Sequence, residues 1–223
     1  MINTNVETIR QNIKVSCQKR QRDIEKVNLI CVSKSVGVPD METVFETGIR
    51  QFAENRVDAL AEKQAHFKDS DIIWHFIGRL QRRKVKDVIN TIDYFHALDS
   101  LKLAHEIQKR ADTKIKCFVQ VNISGETSKQ GVSPEDLMKF VTELIEFDKI
   151  EVVGLMTMAP FEASEGELRL YFSELKRLQT ILANKNYNHA PCQELSMGMS
   201  QDYQIAIEEG ATFVRVGSAF FKK

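Results

Sequence analysis

Two basic side chains stand at or near the ends of short apolar segments that the sequence predicts to be buried β-strands. Lys34 follows the run VNLICVS (27–33), and Arg215 lies within TFVRVGS (212–218). Burial lowers the pKa of a lysine because water no longer stabilises the ammonium, and a neutral amine can condense with an aldehyde to form a Schiff base. We therefore interpret Lys34 as a candidate amine nucleophile, with a solvated lysine at the rim of the fold as the plain alternative.

Arg215 is unusual because it interrupts an apolar strand. If Val214 and Val216 pack against helices, the alternation of a strand turns Arg215 toward the interior. A guanidinium there keeps its charge and needs a partner. The partner is either a carboxylate, for which Glu54 is the main candidate at a predicted strand end, or a cofactor or substrate.

The last two predicted strands both end in small residues. After strand seven and strand eight, respectively, these are Ser196, Gly198, Met199 and Ser200, then Gly217 and Ser218. Glycine lets a ligand approach the backbone, and the free N–H groups at a helix start bind anions. Barrels often bind phosphate with the loops after strands seven and eight. These segments predict a phosphate site; two ordinary turns, with Ser200 capping a helix, are the alternative.

Three further residues have a purely structural interpretation as well as a functional one. Asn55, just past a predicted strand, could cap a helix or contact a ligand. His75, within a strand, could be a buried, hydrogen-bonded histidine or could stack on a ligand. Met156, facing inward, could fill the core or form a wall for a flat ring.

The elements that must position these residues alternate between strand-like and helix-like patterns. The predicted strands are 27–33, 49–54, 72–78, 94–98, 115–123, 151–159, 193–198 and 212–218, with a helix between each pair, including a basic helix through Val88. Such alternation predicts parallel strands with helical crossovers, and eight units predict a single (β/α)8 TIM barrel over residues 1–223. An open doubly wound sheet is the alternative, but no GxGxxG turn follows the first strand.

Composition excludes several classes of function. Lys+Arg and Asp+Glu both number 31, so the net charge of zero provides no general attraction for nucleic acid or an anionic membrane. The four cysteines form no CxxC pair, which argues against a metal site and a disulfide framework. No signal peptide and no membrane-spanning run is recognisable, so we expect a cytoplasmic protein. The basic run 79–86 is interpreted as a solvated helix face, with a phosphate or nucleic-acid patch as the alternative.

Taken together, several motifs resemble the YggS/PROSC-like family of pyridoxal phosphate homeostasis proteins. They are LICVSK (29–34), FAENRV (52–57), WHFIGRLQRRK (74–84), VNIS with SKQG (121–131), GLMTMAP (154–160), LSMGMSQDY (195–203) and VRVGSAFF (214–221). The resemblance runs over almost the whole length. It implies the fold of the barrel domain of bacterial alanine racemase, without the additional β domain of that enzyme.

The resemblance also implies roles for the residues singled out above. Lys34 matches the lysine that holds pyridoxal 5'-phosphate (PLP) as an internal aldimine, and Arg215 matches the arginine facing the pyridine nitrogen. The phosphate cup would be formed by Ser196, Gly198, Met199, Gly217 and Ser218. Three more residues would lie near the pyridine ring of PLP: Asn55, His75 and Met156.

The function implied is a carrier or buffer of PLP in the cell, without catalytic residues and with PLP-dependent apo-enzymes as recipients. A permanent cation beside the ring nitrogen opposes its protonation, which weakens the ring as an electron sink. The alternative is a PLP-dependent amino-acid racemase, which needs a second acid/base; Tyr203, after the phosphate loop, is the tyrosine to check. A Schiff-base aldolase on a sugar phosphate and a nucleic-acid binder are more distant alternatives. We expect a monomer without membrane or nucleic-acid partners.

Overall fold

Eight parallel strands form a closed barrel in the order in which they follow one another in the sequence. The structure is a computed structural model in which residues 1–126 and 130–222 are described, so Ser128 and Lys129 of the SKQG motif lie outside the described residues. The strands are β1 (Asn28–Val32), β2 (Gln51–Glu54), β3 (Ile73–Phe76), β4 (Tyr94–Leu98), β5 (Ile115–Gln120), β6 (Ile150–Met156), β7 (Glu194–Ser196) and β8 (Phe213–Val216). The TIM-barrel prediction is confirmed.

Helices surround the barrel. They are α1 (Ile2–Lys19), α2 (Val38–Glu46), α3 (Val57–His66), α4 (Leu101–Arg110), α5 (Pro134–Glu143), α6 (Glu165–Ala183), α7 (Tyr203–Glu208) and α8 (Ser218–Phe221). Short 3-10 helices cover Ile24–Lys26, Arg82–Asp87 and Leu144–Glu146.

The barrel closes where the last strand pairs with the first. Ile30 lies beside Arg215, and Cys31 lies beside Val216. A true closure of this kind excludes the open doubly wound sheet. It also places the end of β1, which leads to Lys34, beside the end of β8, which carries Arg215.

The longest crossover helix shows why the sequence folds locally as it does. Ser164 and Glu167 form a capping box at the start of α6, which satisfies N–H groups that have no partner within the helix. Leu168, Phe172 and Leu175 follow at helical spacing and are buried against the barrel. The helix predicted between the sixth and seventh strands is therefore confirmed.

One predicted helix is wrong in type. The basic segment between β3 and β4 forms only the 3-10 helix Arg82–Asp87, in which Val85 is the buried residue. Like charges at i and i+4, here Arg82 and Lys86, destabilise an α-helix. A single buried side chain also offers little apolar surface to compensate for that repulsion.

The four cysteines, Cys17, Cys31, Cys117 and Cys192, are all buried and unpaired. Within the described ranges, no helix combines the length and apolar character needed to cross a bilayer.

Candidate functional site

Lys34 lies in the turn that follows β1, at the carboxyl end of the barrel, and is exposed. The expectation of a buried lysine is wrong because the backbone leaves the strand at Ser33, whose carbonyl accepts a turn hydrogen bond from the Val36 N–H at 3.1 Å. Among the described residues, the Lys34 amine has no hydrogen-bond or ion-pair partner. It is therefore accessible to an aldehyde arriving from solvent.

A buried ion pair holds the peptide that precedes Lys34. Glu54 and Lys63 are buried and form a salt bridge. Lys63 Nζ also donates to the Ser33 carbonyl at 2.7 Å, and Ser33 Oγ donates to Glu54 Oε1 at 2.7 Å. Sequence reasoning missed Lys63, which lies in the polar-looking helix α3. This arrangement fixes the position from which Lys34 extends.

Arg215 is 4% exposed and points into the barrel. The alternative that Glu54 is its partner is wrong, since Glu54 is bound to Lys63. Arg215 Nη1 donates to Ser196 Oγ, and Nη2 donates to the Thr157 carbonyl at 3.0 Å. Burial lowers the pKa of Arg215 to about 10, partly opposed by Asp202, so the guanidinium remains a cation at neutral pH.

Ser200 connects the two loops that the sequence predicts to bind phosphate. Its Oγ accepts from the Gly217 N–H at 3.0 Å and from the Ala219 N–H at 3.2 Å. The prediction that Ser200 caps a helix is wrong, because α7 begins only at Tyr203 after a turn. Sequence reasoning thus found the loop but not the role of this hydroxyl in joining β7 to β8.

The turn after β7 is shaped by Gly198. Its φ is +94°, and a Cβ there would lie 2.6 Å from Ala206 Cβ and 2.9 Å from Tyr203 Cα. The Met199 N–H donates to Asp202 Oδ1 at 2.5 Å. Burial raises the pKa of Asp202, which the Met199 hydrogen bond and the charge of Arg215 partly counteract.

The turn after β8 lies against the end of β1. A Cβ on Gly217 would be 3.3 Å from the Val32 carbonyl oxygen, so the two strand ends are in close contact. Ser218 begins α8 and is exposed. The structure therefore brings Gly217 and Ser218 to the strand end adjacent to the one that carries Lys34.

Asn55 and Met156 occupy two other strand ends. Asn55 is half-buried directly after β2, and its backbone lies so close to Gly78 that a Cβ on the glycine would be 2.3 Å from the Asn55 carbonyl oxygen. Met156 is buried at the end of β6, where it pairs with Ser196 of β7. Both remain predicted contacts of the cofactor.

His75 lies inside the barrel rather than at its mouth, with both ring nitrogens occupied. Nδ1 is 2.9 Å from His96 Nε2, and Nε2 is 3.1 Å from Gln51 Oε1. The ring stacks on Tyr94 with 4.8 Å between centroids. Burial lowers the pKa of His75 to about 3. This geometry is that of a buried, hydrogen-bonded histidine.

His96 is the interior residue that sequence reasoning missed. Its Nδ1 is 2.8 Å from Ser196 Oγ, and its ring stacks on Phe118 at 4.4 Å. Ser196 is fully buried and contacts both His96 and Arg215, so its hydroxyl faces the interior. The sequence YFHAL (94–98) contains the information needed to place His96, since the alternation of side chains along a strand puts it on the same face as Tyr94.

Three chemical features therefore lie at the carboxyl ends of β7, β8 and β1: an accessible primary amine, a buried cation, and two loops in which the hydroxyls of Ser200 and Ser218 can donate hydrogen bonds to an anion. In a (β/α)8 barrel this end is where ligands bind. The arrangement suits a molecule that combines an aldehyde, a polar ring and a phosphate.

Fold and site together define a barrel of the alanine racemase type. The family described as "Alanine racemase, N-terminal domain" matches residues 4–223. Alanine racemase of Clostridium difficile shares the fold with a TM-score of 0.77 at 17% identity, and the alignment covers 99% of this chain but 56% of the racemase.

Closer relatives identify the branch of this class. A pyridoxal phosphate homeostasis protein of Aquifex aeolicus is 38% identical over 214 residues, which is 95% of this chain and 93% of the relative. One from Escherichia coli is 30% identical, with coverage of 97% and 94%. PipY of Synechococcus elongatus, solved with PLP bound, has a TM-score of 0.86 at 29% identity, with coverage of 99% and 100%. This chain belongs to the pyridoxal phosphate homeostasis protein family.

Proposed function

We propose that this protein binds PLP through a Schiff base on Lys34 and acts as a carrier or buffer in intracellular PLP homeostasis. The observation that carries the proposal is the meeting of Lys34, Arg215 and the loops after β7 and β8 at three adjacent strand ends. The named function of the full-length relatives and the PLP bound to PipY support it.

The residues present fit the group. PLP supplies an aldehyde that reacts with an amine and a ring that withdraws electrons. Lys34 would hold the aldehyde carbon, Arg215 would lie by the ring nitrogen, and Asn55 and Met156 would belong to the ring surroundings. His75, predicted to lie near the ring, is instead inside the barrel, where His96 separates it from Ser196. The phosphate would be held by Gly198, Met199, Gly217 and Ser218, whereas the buried hydroxyl of Ser196, predicted to belong to this set, is bound to Arg215 and His96. We add the Ser200 hydroxyl to the phosphate set because it accepts two N–H groups from the neighbouring loop and so keeps its own proton to donate.

Binding without turnover is favoured over racemisation. A two-base racemase needs a second acid/base on the ring face opposite the lysine. Tyr203, the tyrosine nearest the phosphate loop in the sequence, is buried, and its hydroxyl accepts a hydrogen bond from Asn12 of α1 at 2.9 Å. That contact directs Tyr203 toward the outer helix layer. A PLP-dependent racemase remains the alternative function.

The remaining features of the proposal concern the whole protein. We propose a single domain over residues 1–223 that works as a cytoplasmic monomer and supplies PLP-dependent apo-enzymes. The even balance of 31 basic and 31 acidic residues supports a partner that is neither nucleic acid nor membrane.

The test is covalent attachment at Lys34. Protein mixed with PLP should gain a visible absorbance band, and borohydride reduction should fix the label on Lys34 in a peptide identified by mass spectrometry. Lys34→Ala should lose both signals, whereas Lys68→Ala, at another exposed lysine, should keep them. Protein that stays colourless, or label spread over many lysines, would contradict the proposal. Lys34-dependent deuterium entry at the α-carbon of an amino acid would establish the racemase instead.

A further inference from the structure

A continuous series of hydrogen bonds crosses the barrel interior from Arg215 toward the amino ends of the strands. The interior network consists of Arg215, Ser196, His96, His75, Gln51 and Asn28, and it ends on the Thr212 carbonyl. From Ser196 onward the donor–acceptor distances are 2.8, 2.9, 3.1, 2.8 and 3.1 Å. It therefore links the proposed cofactor site to the opposite end of the barrel.

The amide groups fix the directions of the hydrogen bonds at one end of the interior network, and the single proton of each neutral histidine fixes the others. The Thr212 carbonyl can only accept, so Asn28 presents its amide nitrogen there and its oxygen to Gln51. Gln51 then presents its oxygen to His75, whose Nε2 must donate. At the other end Arg215 can only donate, so Ser196 Oγ accepts from it and keeps one proton to donate. Among the described residues, His96 Nδ1 is the other side-chain partner of that hydroxyl.

These constraints assign one proton to each histidine. His75 donates from Nε2 and accepts at Nδ1 from His96 Nε2–H, while His96 Nδ1 accepts from Ser196. This assignment holds while both rings are neutral, because a neutral imidazole has one N–H donor and one acceptor nitrogen. Both histidines are fully buried, and burial lowers the pKa of each, which agrees with neutral rings.

We propose that His96 is a positioning residue for the cofactor: by accepting the Ser196 proton it leaves Ser196 Oγ free to accept from Arg215, and so sets the orientation of the guanidinium. The inference rests on the proposed function, in which Arg215 lies by the ring nitrogen of PLP. His75 supports His96 by holding its Nε2–H. Nη1 and Nη2 of Arg215 are thereby tied to Ser196 and Thr157, which fixes the plane in which its remaining donors reach a ligand.

Two substitutions of His96 separate positioning from packing. In His96→Asn the amide oxygen can replace Nδ1 as acceptor for Ser196, although the smaller side chain leaves space beside Phe118. In His96→Phe the ring and its stacking are kept, but Ser196 loses its acceptor. A packing role therefore makes the Phe variant the milder one, whereas a positioning role makes the Asn variant the milder one.

The experiment measures PLP affinity and the absorbance band for wild type, His96→Phe, His96→Asn and Ser196→Ala, with circular dichroism to confirm folding. We expect His96→Phe to raise the Kd for PLP about tenfold or more and to shift the absorbance band. Ser196→Ala should raise the Kd and shift the band in the same way. In His96→Asn the Kd should stay within about threefold of the wild-type value, and the band should not shift. In protein without PLP, 15N NMR should show both histidines as neutral Nε2–H tautomers.

The outcomes distinguish this inference from the proposed function. A Lys34-dependent band in the wild type with no change in His96→Phe, or with His96→Asn no better than His96→Phe, would overturn the inference alone. A charged ring or an Nδ1–H tautomer at His96 would also overturn it, and this measurement remains decisive if His96→Phe fails to fold. Absence of any Lys34-dependent band would overturn the proposed function and the inference together.

Discussion

Two lysines serve the end of the first strand in opposite ways. Lys34 is exposed, and among the described residues it has no partner, which suits a group that must react with an incoming aldehyde. Lys63 is buried and fully engaged, with Glu54 on one side and the Ser33 carbonyl on the other. The exposed amine thus extends from a backbone that a second lysine holds in place.

Removing Lys63 should be costly for stability. In Lys63→Met the carboxylate of Glu54 stays buried without its counter-ion, and breaking such a pair typically costs about 3–5 kcal/mol. Urea unfolding should show a loss of this size. The double variant Lys63→Met/Glu54→Leu should recover most of it, because the buried charge is then absent. A single variant as stable as wild type would show that the ion pair does not hold this strand end.

At this scale the sequence predicted some residues and could not predict others. Arg215 was recognisable because a cation in an apolar strand is costly without a partner. Lys63 was not recognisable, since a lysine on an amphipathic helix is normally solvated. Its burial depends on how far α3 is displaced along β2, which the sequence does not specify. The N-cap assignment of Ser200 was wrong because a serine before a short helix resembles an N-cap. Only the distance to the Gly217 N–H shows that the hydroxyl joins the two loops.

Among the elements, the turn from β7 to α7 depends on a glycine for two separate reasons. Gly198 has a positive φ, which is strained for other residues, and it also has no space for a Cβ against Ala206. The backbone of this turn carries Met199 and Ser200, which belong to the proposed phosphate site. Its shape is therefore inseparable from the packing of α7.

Gly198→Ala should lower both stability and PLP affinity. Backbone strain and overpacking each cost of the order of 1–3 kcal/mol, so the loss in a denaturant titration should exceed that of Gly48→Ala. Gly48 also has a positive φ, of +88°, but its nearest contact would be an ordinary 3.7 Å from the Arg10 side chain. Equal losses in the two variants would show that only the φ angle matters at Gly198.

Element types were predictable because alternation and capping are local. All eight strands were predicted, and α5 shows the local capping rule, since it begins at Pro134 with Ser133 as its N-cap. The failures lie where tertiary contacts decide, as in the segment Arg82–Asp87, which has one buried side chain and cannot support a full α-helix.

For the molecule as a whole, two uncharged histidines in the interior make stability depend on pH. Burial lowers the pKa of His75 to about 3 and that of His96 well below its ordinary range, whereas an unfolded histidine titrates near about 6.5. Above pH ~6.5 neither state binds these protons and the contribution to stability is complete. As pH falls from there toward the folded pKa, only the unfolded state takes up protons, so stability is lost.

We expect the free energy of unfolding to fall by about 1.4 kcal/mol per pH unit for each of the two histidines well below pH 6.5. Urea titrations at pH 7, 6 and 5 would measure this slope. His96→Phe should reduce it, whereas His105→Gln, at an exposed position on α4, should leave it unchanged. An identical slope in His96→Phe and wild type would mean that His96 is protonated in the folded protein.

The pairing of β8 with β1 has a consequence for assembly. Lys34 follows the first strand and Arg215 lies in the eighth, so their strand ends become neighbours only when the first and last strands of the barrel pair. A nascent polypeptide in which β8 has not yet been synthesised has the amine but neither the guanidinium nor the Gly217–Ser218 turn. Under the proposed function, capture of the cofactor would therefore report that the ring of strands has closed.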